Sequence, residues 1–290
     1  MVLKFCYPLL LHGMLFYCWT LTVMDGKLNY ATIIDTILPF LPCVMWVMIY
    51  RIRTSLKTLL VYMANTITTG STRQSRYLPI ATNIALLMTF AYPPFLLAMK
   101  LIQGNSIRLV EICRNIQEIL FPSILTVLYS SICYSLYCNL VLCKKLFLTK
   151  LDMSCSLTVK TLHENYINVL KSVELFEDLL SNPVFFLVFQ NFCTVSIIVM
   201  DMMNVKDWMS TLMLEALAYF VYILAGLGIL TILADKITLE VQSIKMVLLD
   251  KISEQSDRDI LFINEKLITL TLKRDACVFT GKVFRLREVF

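Results

Sequence analysis

Long apolar stretches separated by short polar or basic segments make up most of the chain. A helix that crosses the hydrocarbon core of a bilayer needs about 20 mostly apolar residues. Six stretches reach that length, at residues 5–24, 31–50, 79–99, 120–142, 183–204 and 214–234. The first is too long to be the apolar core of a signal peptide, and no small-residue cleavage site follows it. The pattern predicts an all-α, polytopic membrane protein in which a single domain, residues 1–290, contains six transmembrane helices.

Two segments outside these stretches carry a different pattern. Within residues 143–182, apolar side chains recur every three to four positions, at Val159, Leu162, Tyr166, Val169, Val173, Phe176 and Leu180. Within residues 235–290, the same spacing occurs at Ile237, Val241, Ile244, Leu248 and Ile252. This is the spacing of an amphipathic helix. We expect helices that extend the fourth, fifth and sixth spans, and their acidic residues favour packing on each other over binding to anionic lipid.

The distribution of Lys and Arg predicts the orientation of the chain. Cytoplasmic loops of membrane proteins carry an excess of these residues. If the N-terminus is inside, residues 1–4, 51–78, 143–182 and 235–290 are cytoplasmic and contain 21 of the 26 Lys and Arg residues. Segment 51–78 alone has five basic residues and no acidic residue. We therefore predict that the N-terminus and the inner helical extensions lie in the cytoplasm.

The composition agrees with a membrane protein and argues against other classes. The chain is 58% apolar and 16% charged, whereas soluble domains average roughly 45–50% and about 25%. A net charge of +5 does not indicate binding to nucleic acid here, because the basic residues are confined to segments between apolar runs. The expected partner is the lipid bilayer. Most of the ten cysteines fall within apolar stretches, which favours free thiols over disulfides.

The chain lacks the residue patterns of an enzyme or a cofactor-binding protein. Its two histidines, His12 and His163, lie in different segments. No His pair or Cys-x-x-Cys pair is spaced to hold a metal, and no glycine-rich phosphate loop occurs. Acids and histidines do not cluster, as they would in a membrane enzyme. We expect no catalytic activity, no cofactor and no metal site.

Polar and aromatic side chains in the outer halves of the spans are the candidates for ligand binding. Asp35 is an ionisable residue inside the second predicted span. A residue of this kind indicates function, unless its side chain simply reaches the headgroup region. Aromatic and hydroxyl side chains with few charges suit a small, largely apolar organic molecule. The alternative is that they form the aromatic belt of the membrane interface and hydrogen bonds between helices. The predicted ligand-binding residues are Asp35, Tyr92, Tyr129, Tyr219 and Tyr222.

Other residues in these outer halves bear on the same prediction. Pro93 and Pro94 are predicted to kink the third span near its outer end. Gly226 and Gly228 would let the sixth span approach its neighbours closely or bend. The hydroxyl side chains of the fourth and fifth spans are Ser123, Thr126, Thr194 and Ser196.

Three stretches of the chain resemble the insect-type gustatory receptor family. They are FEDLLSNPVFFLVFQNF, where the fifth span begins, and EVQSIKMVLLDKISEQ and INEKLITLTLKRDACVFTGKVFRL after the sixth span. The family tends to show an F-T-x-x-G-x-F-x-L-like pattern, and the last stretch resembles it. Here the spacing is one residue shorter, and the glycine is displaced to Gly281. The residues in its F, T, F and L places are Phe279, Thr280, Phe284 and Leu286. The family's T-Y-x-x-x-x-x-Q-F signature, which belongs to its seventh span, does not occur.

This resemblance implies a function and an assembly. Members of the family are seven-span receptors with the N-terminus in the cytoplasm, and four subunits surround a cation pathway lined by the last span. The resemblance therefore implies a taste receptor subunit of the plasma membrane, a ligand-gated cation channel in its complete form. It would bind a small-molecule tastant and form a homo- or hetero-tetramer. The cytoplasmic helices, within 143–182 and 235–275, would carry the subunit contacts.

Three other functions remain open at this point. An odorant receptor of the same superfamily shares the topology and differs in its ligand and partner. A six-span transporter is disfavoured because ion transporters place acids at mid-membrane and repeat broken helices, and neither feature is visible here. A non-conducting subunit would act only by assembling with full-length partners.

The last segment, DACVFTGKVFRLREVF, is basic and leads into no further apolar stretch. We expect that it is the approach to a seventh span that this chain lacks. Sequencing the 3′ end of the transcript, with the genomic DNA downstream, tests this expectation. An exon that encodes an apolar span with T-Y-x-x-x-x-x-Q-F is the expected result. A stop codon directly after Phe290 in the mature transcript would contradict it and favour the carrier or the silent subunit.

Overall fold

The regular structure of the chain is helical. A computed structural model describes residues 37–67, 77–102, 116–150, 156–204 and 211–254, with residue 112 and several positions between 12 and 24. The helices are α1 (Phe40–Ile67), α2 (Tyr77–Ile102), α3 (Phe121–Lys150), α4 (Ser156–Asn204) and α5 (Thr211–Glu254). A π-helical turn, Ile116–Leu120, leads directly into α3. The described residues contain no β-strand, so the all-α prediction is confirmed for them.

Three helical segments are long and apolar enough to cross a membrane. They are Glu118–Leu148, Asn165–Met200 and Ala216–Val247, and they contain most of the fourth, fifth and sixth predicted spans. A shorter apolar segment, Ile80–Phe95, falls within the third. Much of the first two spans lies outside the described residues. A membrane protein is thus supported, while the total of six spans and the inside N-terminus stay predictions.

Apolar side chains also face outward from these helices. In a water-soluble helix the exposed face is polar, whereas a helix that is apolar on all sides is buried in protein or in lipid. A large contiguous apolar surface is rare on soluble monomers and marks contact with a membrane or with another protein. Exposed examples on α2, α4 and α5 are Ile80, Ile84, Leu87, Phe90, Phe185, Phe192, Met203, Val221 and Ile232.

Two helices differ in extent from the sequence prediction. The second span was predicted to end at Tyr50, but α1 continues to Ile67 through a segment predicted only as a basic inner loop. The continuation is helical because this segment lacks Gly and Pro and repeats apolar residues at helical spacing, of which Leu59 is fully buried. In α2 the helix continues through Pro93 and Pro94 to Ile102, and the predicted kink stays a prediction.

The described residues divide into two packed units. The first takes its residues from 1–52, 80–129 and 182–230. In it, Trp19 and Trp46 pack against the buried Cys43. The ring of His12 lies edge-on to Trp46 with centroids 5.9 Å apart, so this histidine contributes an aromatic packing contact. Further core positions include Leu41, Met45, Ile119, Leu125, Val184, Leu187, Ile223 and Leu230.

The second unit takes its residues from 53–79, 130–181 and 231–290. Its core contains the two periodic faces predicted from the sequence. Where their side chains are described, the members of those faces are at most 3% exposed: Tyr166, Val169, Val173, Phe176, Leu180, Ile237, Val241 and Ile244. The helical spacing and the buried faces are therefore confirmed, while the cytoplasmic location stays a prediction.

Polar contacts in the second unit link α3 to α5. Lys144 Nζ lies 3.3 Å from Glu240 Oε1, in a partly buried ion pair. The ammonium of Lys236 lies 5.8 Å from the ring centroid of Tyr137. Tyr137 pairs with Lys236, and the later residue Lys144 pairs with the later residue Glu240. Residue numbers therefore increase in the same direction along both helices, and α3 and α5 run parallel in this unit. An ion pair of this exposure contributes about 1 kcal/mol or less, so the apolar faces supply most of the stability.

Truncation of the buried face should destabilise the second unit. Phe176 is 1% exposed, and Phe176→Ala removes a large side chain from the core at a typical cost of about 3–5 kcal/mol. Lys171→Ala, at an exposed position of the same helix, is the matched control with little expected effect. Thermal unfolding of the detergent-purified chain should show a clear decrease in Tm for Phe176→Ala only. Equal Tm values for the two variants would contradict the assigned burial.

Candidate ligand-binding cavity

The first unit contains a cavity of about 410 Å³. Drug-sized ligands occupy pockets of roughly 300–1,000 Å³, so the volume suits a small organic molecule. Four helices contribute: α2, α4, α5, and α3 together with the π-helical turn that precedes it. The lining residues are Ala85, Met88 and Thr89; Glu118, Ile119, Pro122, Ser123, Thr126 and Val127; Asn191; and Tyr219, Tyr222, Ile223, Ala225, Gly226 and Ile229.

Small side chains leave the space that the cavity occupies. Ala85 on α2 and Ala225 and Gly226 on α5 line it where larger residues would fill it. The wall around them is mainly aliphatic, with Ile119, Val127 and similar residues. A wall of this kind favours an apolar ligand body, since burying apolar surface is favourable by about 25 cal/mol per Å².

Three tyrosines predicted as ligand-binding residues meet at the cavity. Tyr219 and Tyr222 are three positions apart on α5, so they share a face of that helix, and both line the cavity. Tyr92, on α2, stacks on Tyr222 with ring centroids 4.2 Å apart and an interplanar angle of 8°. It also contacts Tyr219 at 6.3 Å and 27°. Tyr92 therefore supports the tyrosines of the wall and does not itself line the cavity.

Two hydroxyl groups on α3 that line the cavity donate their protons to nearby backbone oxygens. Ser123 Oγ donates to the carbonyl oxygen of Ile119 at 2.6 Å, and Thr126 Oγ1 donates to that of Pro122 at 2.9 Å. A hydroxyl has one proton and two lone pairs. With the proton used in this way, each of these hydroxyls can offer the cavity an acceptor.

Glu118 brings a carboxyl group to the cavity wall. Tyr219 is another lining residue of the same cavity. The backbone oxygen of Glu118 accepts a hydrogen bond of 3.4 Å from Nε2 of Gln190, a side chain on α4 that is 1% exposed. This contact between residues 72 positions apart in the chain fixes the π-helical turn against α4. The other end of the amide, Gln190 Oε1, is buried with no hydrogen-bond partner among the described residues.

The remaining two predicted site residues are not among the described residues that line the cavity. Tyr129 is 3% exposed and is absent from the cavity wall. Asp35 lies outside the described residues. Three other residues noted in the sequence do line the cavity: Ser123, Thr126 and Gly226. The hydroxyls of Thr194 and Ser196 instead donate to backbone oxygens of α4, to Gln190 and Phe192 respectively, at 2.9 Å.

Sequence reasoning missed three polar lining residues, Thr89, Glu118 and Asn191. Glu118 escaped notice because the fourth span was predicted to begin two residues later, which placed the acid in an outer loop. Asn191 could have been found, since the Gln190–Asn191 pair interrupts an otherwise apolar stretch of the fifth span. An amide pair of this kind inside a span indicates a buried hydrogen bond or a site.

The glycines of the sixth span are not needed for close packing. A Cβ atom built on Gly226 would lie 3.8 Å from Thr126 Cγ2, an ordinary van der Waals distance, and one on Gly228 would meet nothing within 4 Å. The prediction that these glycines allow close backbone approach is therefore wrong for the contacts that the structure describes. At Gly226 the missing side chain instead adds to the cavity.

The comparisons with known proteins add no identification. No protein-family model matches the sequence, and no characterised protein matches it significantly. Functional interpretation therefore depends on the cavity and on the sequence pattern. Among the described residues, no group of three or more His, Cys, Asp and Glu is placed to hold a metal ion.

The stack of Tyr92 on Tyr222 should be measurable as a coupling energy. Stacked aromatic pairs contribute about 0.5–1.5 kcal/mol beyond the area that they bury. A double-mutant cycle with Tyr92→Leu and Tyr222→Leu, measured by chemical unfolding in detergent, should give coupling in that range. The cycle of Tyr92→Leu with Tyr219→Leu is the control and should give a smaller value, because those centroids are 6.3 Å apart. Zero coupling in the first cycle would contradict the stack.

Proposed function

We propose that the chain is a subunit of a gustatory-type chemoreceptor in which a small, largely apolar tastant binds the cavity of the first unit. In the complete form, the subunits would assemble as a tetrameric, ligand-gated cation channel of the plasma membrane. The observation that carries the binding part is the cavity of about 410 Å³. The channel part follows from the resemblance to gustatory receptors.

The cavity offers a physical route from binding to gating. A ligand shifts a conformational equilibrium only by its difference in affinity for the two states. A ligand in this cavity would touch α2, α3, α4 and α5 at once, so its contacts depend on how these helices are arranged. Moving a population from about 1% to about 99% requires roughly 10⁴-fold tighter binding to one arrangement. Apolar contacts on four helices, with a few polar groups, can supply a preference of this kind.

A pair of glycine variants tests whether the cavity controls the response. Gly226→Ala adds a methyl group to the cavity wall without a clash, whereas Gly228→Ala adds the same group outside the cavity. Both changes favour the helix by up to about 1 kcal/mol. A methyl group in a well-filled apolar site can change affinity by about tenfold or more. We expect Gly226→Ala to shift the half-maximal concentration of an active tastant, and Gly228→Ala to leave it unchanged.

The measurement is whole-cell current in cells that express the full chain with a conducting receptor subunit. The compounds would be a panel of sugars, plant alkaloids and aromatic alcohols. Identical dose–response curves for both glycine variants would exclude the cavity as the receptor site. Saturable uptake of a radiolabelled compound without any current would instead assign the cavity to a carrier.

A further inference from the structure

The charged group of the described cavity wall is acidic. Glu118 is the acidic lining residue, and no Lys, Arg or His is among the described residues that line the cavity. The rest of the wall is mainly aliphatic and aromatic. A carboxylate with low-dielectric surroundings attracts a cation more strongly than it would in water. An anion placed here would meet no compensating positive side chain, and burial of an unpaired charge is costly.

Aromatic rings add to the attraction for a cation. The faces of aromatic rings attract organic cations within about 6 Å of the centroid. Tyr219 and Tyr222 both line the cavity. One face of Tyr222 is covered by Tyr92 at 4.2 Å, so the ring meets the cavity through its other face or its edge. Glu118, Tyr219 and Tyr222 all line this cavity, so the acid and the aromatic surface belong to one wall.

The hydroxyls favour a ligand that donates hydrogen bonds. Ser123 and Thr126 have already donated their protons to nearby backbone oxygens. What they present is therefore acceptor capacity, which matches the N–H groups of an ammonium. The Gln190 amide holds the backbone of Glu118 at 3.4 Å and thus acts as a positioning residue for the acid.

From these three features we infer that the cavity of the first unit binds a small organic cation, a protonated amine with an apolar body. The inference rests on the proposed function, because it assigns a ligand class to the same cavity. The ammonium would contact Glu118, the tyrosine rings and the hydroxyl oxygens, and the apolar body would contact the aliphatic wall. Neutral molecules of the same shape would keep only the apolar contacts.

Two probes of nearly equal size separate charge from shape. 2-Phenylethylamine is protonated at neutral pH, and 2-phenylethanol is its neutral counterpart. Equilibrium binding of each tritiated probe to the detergent-purified full chain should show about tenfold or greater preference for the amine. Glu118→Gln keeps the shape of the side chain and removes its charge. We expect it to abolish the preference by lowering amine affinity about tenfold or more, while alcohol affinity changes less than about twofold.

Matched variants keep the test independent of folding. Glu177→Gln removes the same charge from α4 in the second unit and should leave both affinities unchanged. Tyr222→Leu should lower amine affinity by about 2- to 30-fold, whereas Tyr222→Phe, which keeps the ring, should retain it within about twofold. If Glu118→Gln fails to fold, the two Tyr222 variants provide the test by themselves.

The outcomes distinguish this inference from the proposed function. Equal affinities for amine and alcohol, or a preference that survives Glu118→Gln, would overturn the cation site while leaving a neutral-ligand receptor intact. Failure of the amine to bind would also overturn it. If the amine binds preferentially and this preference depends on Glu118, but no current is evoked, the cation site is supported. The same result would contradict the proposed channel function.

Discussion

The absence of water from the bilayer core is the constraint on which the rest of this structure depends. Backbone polar groups at that depth must find partners within the chain, and a helix satisfies them inside a single segment. The same demand applies to polar side chains. Among the described residues, the hydroxyls of Ser123, Thr126, Thr194 and Ser196 each donate to the backbone oxygen four positions earlier. Local bonding of this kind lets a polar residue occupy an apolar helix without a partner on another helix.

The chemistry of the cavity follows from this constraint. The Ser123 and Thr126 hydroxyls have given their protons to the backbone, so what they offer the cavity is acceptor capacity. The acid at the start of α3 adds to this capacity. The backbone at this acid is held in place, since Gln190 Nε2 donates a hydrogen bond to the Glu118 carbonyl oxygen. Small residues then leave room for a ligand beside these groups.

Periodicity predicted the helices and their buried faces, because it is a local property of the sequence. The spacing of Val169, Val173 and Phe176 was enough to identify a buried stripe, and these residues are at most 1% exposed. Tyr219 and Tyr222 share a face for the same reason. That Tyr92 would stack on them depends on how α2 packs, which no local pattern encodes.

Other features were missed because the start of a span was misplaced by two residues, or because the sequence does not show which way a side chain points around its helix. Glu118 was excluded by an error of two residues in the start of a span, and helix boundaries are the least certain feature of a sequence pattern. Tyr129 was predicted as a ligand-binding residue, but it is buried on α3 and is not among the residues that line the cavity. Segment 51–67 was interpreted through its charge alone, which hid the apolar spacing that makes it helical.

The lengths of the helices place limits on the membrane boundary. α4 has 49 residues and is about 74 Å long at 1.5 Å per residue, more than twice the roughly 30 Å of the hydrocarbon core. A large part of it must therefore lie outside the lipid. Its exposed side chains are apolar at Phe185, Phe192 and Met203, whereas charged residues such as Lys171 and Asp178 occupy the preceding turns.

The exposed surface of α4 changes from charged to apolar between Asp178 and Phe185, close to the predicted start of the fifth span at residue 183. The same transition occurs on α3 at Lys144, just after residue 142, and on α5 at Asp235, just after residue 234. Three helices thus pass from apolar to charged surface at the boundaries predicted from hydropathy. Charged side chains at the bilayer centre are costly, so a limit of the lipid-facing surface is expected at these positions. The candidate spans found by length and composition extend beyond this limit because the buried faces of the second unit are apolar as well.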